Sequence, residues 1–201
     1  MSISRTPVIV AAIATALLAA GCGDDSTTTT TPTTEYAATT SAAADTGATF
    51  NDADVTFLQM MYPHHAQAVE MAKMVPSHTQ NQELIALAAQ VEKAQAPEMA
   101  QITDLLTGFG KPAPSATAGH GGHDMPGMMT DEQMSSLDAA NGADFDKQWL
   151  EMMIDHHEGA VGMAQTELDS GVDPESRQLA TKIIADQEAE IATMRGMLGQ
   201  N

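Results

Sequence analysis

Two stretches of the chain are near copies of each other: residues 60–72 read MMYPHHAQAVEMA, and residues 152–164 read MMIDHHEGAVGMA. A shift of 92 residues superposes them, and the register holds further along the chain, where Glu98 meets Glu190. This alignment gives 17 identities over positions 54–109, where chance gives about four for this composition. The second half of the folded part therefore repeats the first.

Each copy has the pattern of a helical hairpin. Apolar residues recur at helical spacing, Asn51 can cap the first helix, and Pro76 follows its expected end. Pro63 lies inside this helix and predicts a kink or a lost backbone bond. The four helices are expected over residues 52–75, 80–108, 144–170 and 174–198. Two such hairpins can bury a shared core, so we predict an all-α four-helix bundle with approximate two-fold symmetry.

The N-terminus has the pattern of an export signal. An apolar run from Val8 to Ala20 is short for a membrane span and is followed by Gly21-Cys22. This stretch resembles a bacterial lipobox, which implies removal of residues 1–21, lipidation of Cys22 and an extracytoplasmic protein anchored to the cell membrane. The alternative is an ordinary secretory signal, with Cys22 as a small buried residue.

Composition divides the rest of the chain. Residues from Ser26 to about Thr49 are rich in Thr and Ala and cannot bury enough apolar surface to fold. Between the hairpins, Thr130 and Gln133 resemble a capping box and predict a short helix over 131–137. The predicted organisation is a lipoprotein signal peptide (1–21), a disordered tether (22–50), a first hairpin (51–109), a Met/His-containing linker (110–143) and a second hairpin (144–201).

The charge balance excludes several classes of function. The chain has 8 Lys and Arg against 27 Asp and Glu, a net charge of −19, which disfavours nucleic-acid binding. Its single cysteine excludes an intramolecular disulfide and a cysteine-based zinc site. The sequence contains neither a Gly-rich phosphate loop nor a nucleophile elbow, so we expect no enzymatic activity.

Histidine and methionine form three clusters that can bind metal. The candidate ligands are Met60, Met61, His64, His65 and Met71 in the first repeat, Met152, Met153, His156, His157 and Met163 in the second, and His120, His123, Met125 and Met128 in an exposed linker. Within each repeat, Met at position i and His at i+4 share a helix face. Thioether with imidazole suits Cu(I), and imidazole with carboxylate can hold Cu(II).

Packing is the competing interpretation of the same residues. Methionine fills irregular bundle cores well, and a buried histidine needs only a hydrogen-bond partner. Glu98 and Glu190 recur on the second helices, where they can supply oxygen ligands or lie half exposed. His78 stands beside the first turn and is expected to be exposed.

The paired His-His motifs resemble those of the bacterial family catalogued as domain of unknown function 305. The resemblance covers residues 51–198 and includes Asn51, Asp54, Pro63 and the Met125-Pro126-Gly127-Met128 stretch. It implies a ferritin-like four-helix fold in exported proteins, some of which are associated with copper binding and copper tolerance. By position, it assigns the motif residues of both repeats given above.

Three functions follow from these patterns. The first is a lipid-anchored protein that captures or buffers copper at the cell surface. The second is a non-metal helical interaction module of the cell envelope. The third is a ferritin-like di-metal oxidase, which requires Glu three residues before a ligating His. The residues at those positions are Met61, Tyr62, Met153 and Ile154, so that pattern is absent.

Overall fold

The computed structural model describes residues 49–112, 115 and 125–200, which form five helices and no strand. The helices are α1 (Asp52–His78), α2 (Gln82–Gly108), α3 (Asp131–Ala139), α4 (Gly142–Ser170) and α5 (Pro174–Met197). The predicted all-α four-helix bundle is confirmed, with α3 as the short helix between the hairpins. Residues 1–48, including Cys22, lie outside the described part of the chain, as do His120 and His123.

The helix ends follow local side-chain chemistry. Asn51 and Asp54 form a capping box at the start of α1, and Thr130 with Gln133 forms the predicted one at α3. The expected end of α1 at Val75 is wrong, because the helix continues through Pro76 to His78. In this last turn the Ser77 hydroxyl donates to the Met74 carbonyl at 2.8 Å, which stabilises a turn weakened by proline.

The two hairpins meet mainly where α1 crosses α4. The rings of His64 and His156, which are equivalent in the two repeats, lie 3.7 Å apart between centroids. Trp149, two turns before His156, donates its indole N–H to the carbonyl of Met71, two turns after His64, at 2.9 Å. The two helices are therefore antiparallel, and the approximate two-fold axis passes between the two histidines.

A pair of equivalent aspartates connects each hairpin to the other. Asp54 of α1 accepts backbone N–H bonds from Val172 and Asp173 in the α4–α5 turn, at 3.0 and 2.9 Å. Asp146 of α4 accepts from the Asn81 amide in the α1–α2 turn at 2.9 Å. These contacts stabilise the packing of the two hairpins at the α1–α4 crossing, where the histidines meet.

No helix in the described part of the chain is long and apolar enough to cross a membrane.

Candidate metal centre

All four histidines of the repeats are completely buried at the crossing of α1 and α4. His64, His65, His156 and His157 each have a relative exposure of 0%, although imidazole is polar. Such groups normally form hydrogen bonds inside a protein. Their partners therefore decide what chemistry the site can support.

One histidine in each repeat is paired with a glutamate of the second helix. His65 Nε2 lies 2.7 Å from Glu98 Oε2, and His157 Nε2 lies 2.8 Å from Glu190 Oε2. Because a carboxylate accepts, Nε2 carries a proton in both rings, and the neutral form of each ring has its lone pair on Nδ1. Carboxylates orient metal-ligating histidines in this way in known metal sites.

The other two histidines have fewer partners. His64 Nε2 donates to the carbonyl of Pro126 at 3.1 Å, and His156 has no hydrogen-bond partner on either ring nitrogen. The buried ring nitrogens without a partner are Nδ1 of His64, His65, His156 and His157, and Nε2 of His156. Five unpaired nitrogens in one core are costly unless a further ligand uses them.

The pKa values of His64 and His156 favour the neutral form of both imidazoles. Burial, assisted by the neighbouring His65, lowers the pKa of His64 to about 3. Burial and the nearby histidines also lower the pKa of His156 well below its ordinary value. Neutral rings keep the lone pairs that a metal ion requires.

The thioethers are divided between the core and its edge. Met61 and Met153, one turn before His65 and His157, are fully buried. Met71 and Met152 lie in a core cluster with Trp149. Met60 and Met163 line an open groove formed by α1 and α4. The bundle thus has thioethers both beside the histidines and at the surface.

The end of the linker is docked, so its expected exposure is wrong for this part. Met125 and Met128 are half-buried, and Met129 is 8% exposed. The side-chain amide of Gln67 holds the backbone of Met129 by two bonds, from Met129 N–H at 2.8 Å and to Met129 O at 2.9 Å. Segment 125–130 thereby covers His64. The positions of His120 and His123 remain predictions.

Close backbone packing at two glycines allows this covering. A Cβ on Gly159 of α4 would overlap the carbonyl of Pro126, and one on Gly127 would lie 2.6 Å from the carbonyl of Asp155. Gly127 also has a φ of 78°, which favours glycine. No sequence pattern assigned a role to Gln67, Pro126 or Gly159, although the family resemblance includes the Met125-Pro126-Gly127-Met128 stretch.

Glu98 is buried, and the alternative of a half-exposed position is wrong for it. Its other carboxylate oxygen bonds Lys182 of α5 at 2.7 Å. Burial opposes ionisation, but the bonds from His65 and Lys182 lower the pKa of Glu98 below its ordinary value. Glu190 is more exposed than Glu98 and has no such lysine beside it. The first-repeat residue equivalent to Lys182 is Gln90. His78 is also largely buried and stacks on Phe145, which corrects its expected exposure.

The described residues contain no group of three or more His, Cys, Asp and Glu side chains arranged to hold a metal ion. Because Met61 and Met153 are buried one turn before His65 and His157, a centre at the crossing can combine imidazole nitrogen with thioether sulfur. That donor set suits a soft cation such as Cu(I).

Comparison with known proteins identifies the family. The family model described as "Domain of unknown function (DUF305)" matches residues 54–198. The chain belongs to this family. A DUF305 fragment from Deinococcus radiodurans has 32% identity and a TM-score of 0.68, covering 75% of this chain and 98% of that one. A DUF305 protein from Streptomyces coelicolor has 33% identity and a TM-score of 0.65, covering 74% and 93%.

CopM is another structural relative. Its Cu(II)-bound form has 34% identity and a TM-score of 0.63, covering 72% of this chain and 94% of that one. CopM has also been solved in Cu(I)-bound and Ag-bound forms. Uncharacterized protein L153 of Acanthamoeba polyphaga mimivirus is 42% identical over 55 residues, a match that spans 36% of its length and 27% of this chain.

Proposed function

We propose that this DUF305 protein is a non-enzymatic copper-binding protein, which captures or buffers copper outside the cell membrane. The observation that carries the proposal is the set of five buried imidazole nitrogens without partners at the α1–α4 crossing. The similarity to CopM, with structures in Cu(I)- and Cu(II)-bound forms, supports copper as the metal.

The proposed ligands come from both repeats. The free Nδ1 atoms of His65 and His157 lie on residues whose Nε2 atoms are held by glutamate, and Met61 and Met153 precede them by one turn. His64 adds its Nδ1, and neutral His156 adds one ring nitrogen, because its other nitrogen carries the proton. Thioether sulfur favours Cu(I), whereas the imidazole and carboxylate groups can accept Cu(II).

Methionine-to-leucine variants test the proposed ligation with little change in packing. Leucine keeps the volume of methionine to within a small cost but removes the sulfur. The chain from Ser26 onward is titrated anaerobically with Cu(I) against a chromogenic chelator. We expect Met61→Leu with Met153→Leu to weaken binding at least tenfold. Met194→Leu is the matched control, because Met194 is fully buried in the core outside the proposed ligand set.

The linker histidines require a separate variant. Pro126 and Met129 contact the bundle, so a deletion that includes them would damage the fold. His120→Ser with His123→Ser leaves that contact intact. Copper uptake that survives this change places binding in the bundle, and uptake lost with it moves the function to the linker. Absence of uptake by the parent chain would favour the helical interaction module.

We further propose that the protein is anchored through a lipid on Cys22 and acts at the cell surface. The support is the small-residue stretch before Cys22 and the polar Gly23-Asp24-Asp25 after it. Cys22→Ser should release the protein from the membrane fraction and remove a lipid mass from its N-terminal peptide. An unchanged membrane fraction would contradict the anchor.

A further inference from the structure

A hollow of about 640 Å³ lies on one side of the α1–α4 pair. Its apolar walls are Phe57, Met60 and Met163, and Pro126 closes one end. Every lining residue other than Pro126 belongs to α1 or α4. We call this hollow the open groove.

The repeat relates the open groove to the place where α3 is docked. Adding or subtracting the 92-residue shift converts Phe57, Met60 and Met163 into Trp149, Met152 and Met71. These three residues form a core cluster with Leu137, the fully buried anchor of α3. The α1–α4 pair therefore has two repeat-related surfaces. The helix α3 covers one of them, and the other is open.

The polar contacts that hold α3 have counterparts in the open groove. Gln148 donates to the Ser136 hydroxyl at 3.0 Å, and His78 Nε2 donates to the Asp138 carbonyl at 3.0 Å. Their equivalents in the groove are two exposed hydroxyl residues, Thr56 and Ser170. Hydroxyl groups can likewise donate to and accept from the polar groups of an incoming helix.

Smaller side chains make the groove deep. Ala53 takes the place of Phe145, and Gly162 takes the place of Glu70. A Cβ on Gly162 would meet no atom within 4 Å. The groove therefore has room for apolar side chains from outside.

The negative charge of the chain and of the groove rim indicates which kind of partner the open groove can bind. Asp52 is exposed at the rim, none of the lining residues is Lys or Arg, and the whole chain has a net charge of −19. A second copy would bring the acidic α3, with Asp131, Glu132 and Asp138, against a like charge. A cationic occupant gains attraction at the same rim.

We propose that the open groove docks a short amphipathic helix of a partner protein, with two apolar anchors three residues apart and a polar face rich in Lys or Arg. The anchors correspond to Met134 and Leu137 of α3, which pack against the equivalent face. This mode is the helix-in-groove recognition seen in many peptide complexes. The proposal does not depend on copper, because the groove lies outside the histidine crossing.

A charge-reversed copy of α3 is the probe. The peptide spans residues 130–139 with Asp131→Lys, Glu132→Lys and Asp138→Lys, carries a hydrocarbon staple because a short helix is unstable alone, and is labelled with fluorescein. Fluorescence anisotropy measures its binding to the metal-free full chain. We expect saturable binding that is at least tenfold tighter than that of a scrambled peptide of equal charge.

Variants on one helix locate the binding. Gly162→Leu fills the groove and should weaken the peptide at least tenfold, whereas Gln165→Leu, on an exposed position outside it, should leave affinity within twofold. Thr166→Arg adds a repelling charge at the rim and should weaken binding without filling the groove.

Four binding results would overturn the proposal. They are absence of saturable binding, equal affinity for the scrambled peptide, equal affinity for the acidic parent sequence, and unchanged binding by both Gly162→Leu and Thr166→Arg. Sedimentation velocity tests whether a second copy of the chain occupies the groove. A dimer that dissociates in the Gly162→Leu variant would identify that copy as the occupant, and this result would also overturn the proposal.

Discussion

Alanine at Gly159 should separate segment 125–130 from the bundle. A Cβ there would overlap the Pro126 carbonyl and lie 2.8 Å from the Gly127 Cα, and both neighbours are backbone atoms that cannot rotate away. The segment must move, which breaks the His64–Pro126 bond and the two Gln67–Met129 bonds. The cover over His64 is then lost.

The expected magnitude follows from those three bonds. At about 1 kcal/mol each, their loss costs about 3 kcal/mol of the free energy of unfolding. Replacing a helical glycine with alanine raises the free energy of unfolding by about 1 kcal/mol, so the net destabilisation is about 2 kcal/mol. Gly162→Ala on the same helix meets open space and should stabilise by about 1 kcal/mol. The two variants should therefore differ by about 3 kcal/mol, or about 6–12 °C in Tm for a domain of this size.

Thermal unfolding followed by circular dichroism measures this difference, and amide exchange locates its origin. The Met129 N–H is protected by Gln67 and should exchange faster in Gly159→Ala but not in Gly162→Ala. A Tm for Gly159→Ala equal to or above that of Gly162→Ala would refute the reasoning. A lower Tm with unchanged Met129 exchange would refute the assigned cause.

Three further predictions concern Trp149 at the crossing of α1 and α4, Glu167 near the end of α4, and Glu98 beside His65. Trp149→Phe removes the indole bond to the Met71 carbonyl and should cost about 1–3 kcal/mol in denaturant unfolding. Burial, with the neighbouring Asp54, raises the pKa of Glu167 to about 8 from the ordinary 4.5, so the folded state holds an extra proton between these values. The free energy of unfolding should then fall as pH rises from 4.5 through 8, and Glu167→Gln should remove that fall in urea titrations across this range. Glu98→Gln loses the carboxylate that orients His65 and should weaken Cu(I) binding about 10–100-fold, whereas an unchanged affinity would exclude a positioning role.

The helices could be predicted from the sequence because their determinants are local. The Asn51 and Thr130 capping boxes act within one turn, and apolar spacing defines which faces are buried. The end of α1 was predicted wrongly, because Pro76 normally stops a helix whereas His78 packs on Phe145 from the other hairpin. That contact is tertiary and leaves no local signal.

The candidate site was predictable only in part, for the same reason. The repeat identified the His-His motifs, since duplicated residues remain visible at a fixed spacing. Helical spacing placed His64 on one face with Met60, and only the crossing of α1 with α4 buries it against its repeat equivalent. The Met125 to Thr130 segment was expected to be exposed, because its composition is that of a linker.

The sequence by itself determined the duplication, the all-α class and the four long helices, because these depend on spacing and on side chains within a turn of one another. The tertiary structure alone decided which nitrogen of each histidine is left free, since the partners Glu98 and Pro126 stand 33 and 62 residues away along the chain. It also decided that α3 covers one of two equivalent faces and leaves the other open. Contacts over such separations depend on how whole helices pack, and no local pattern encodes that geometry.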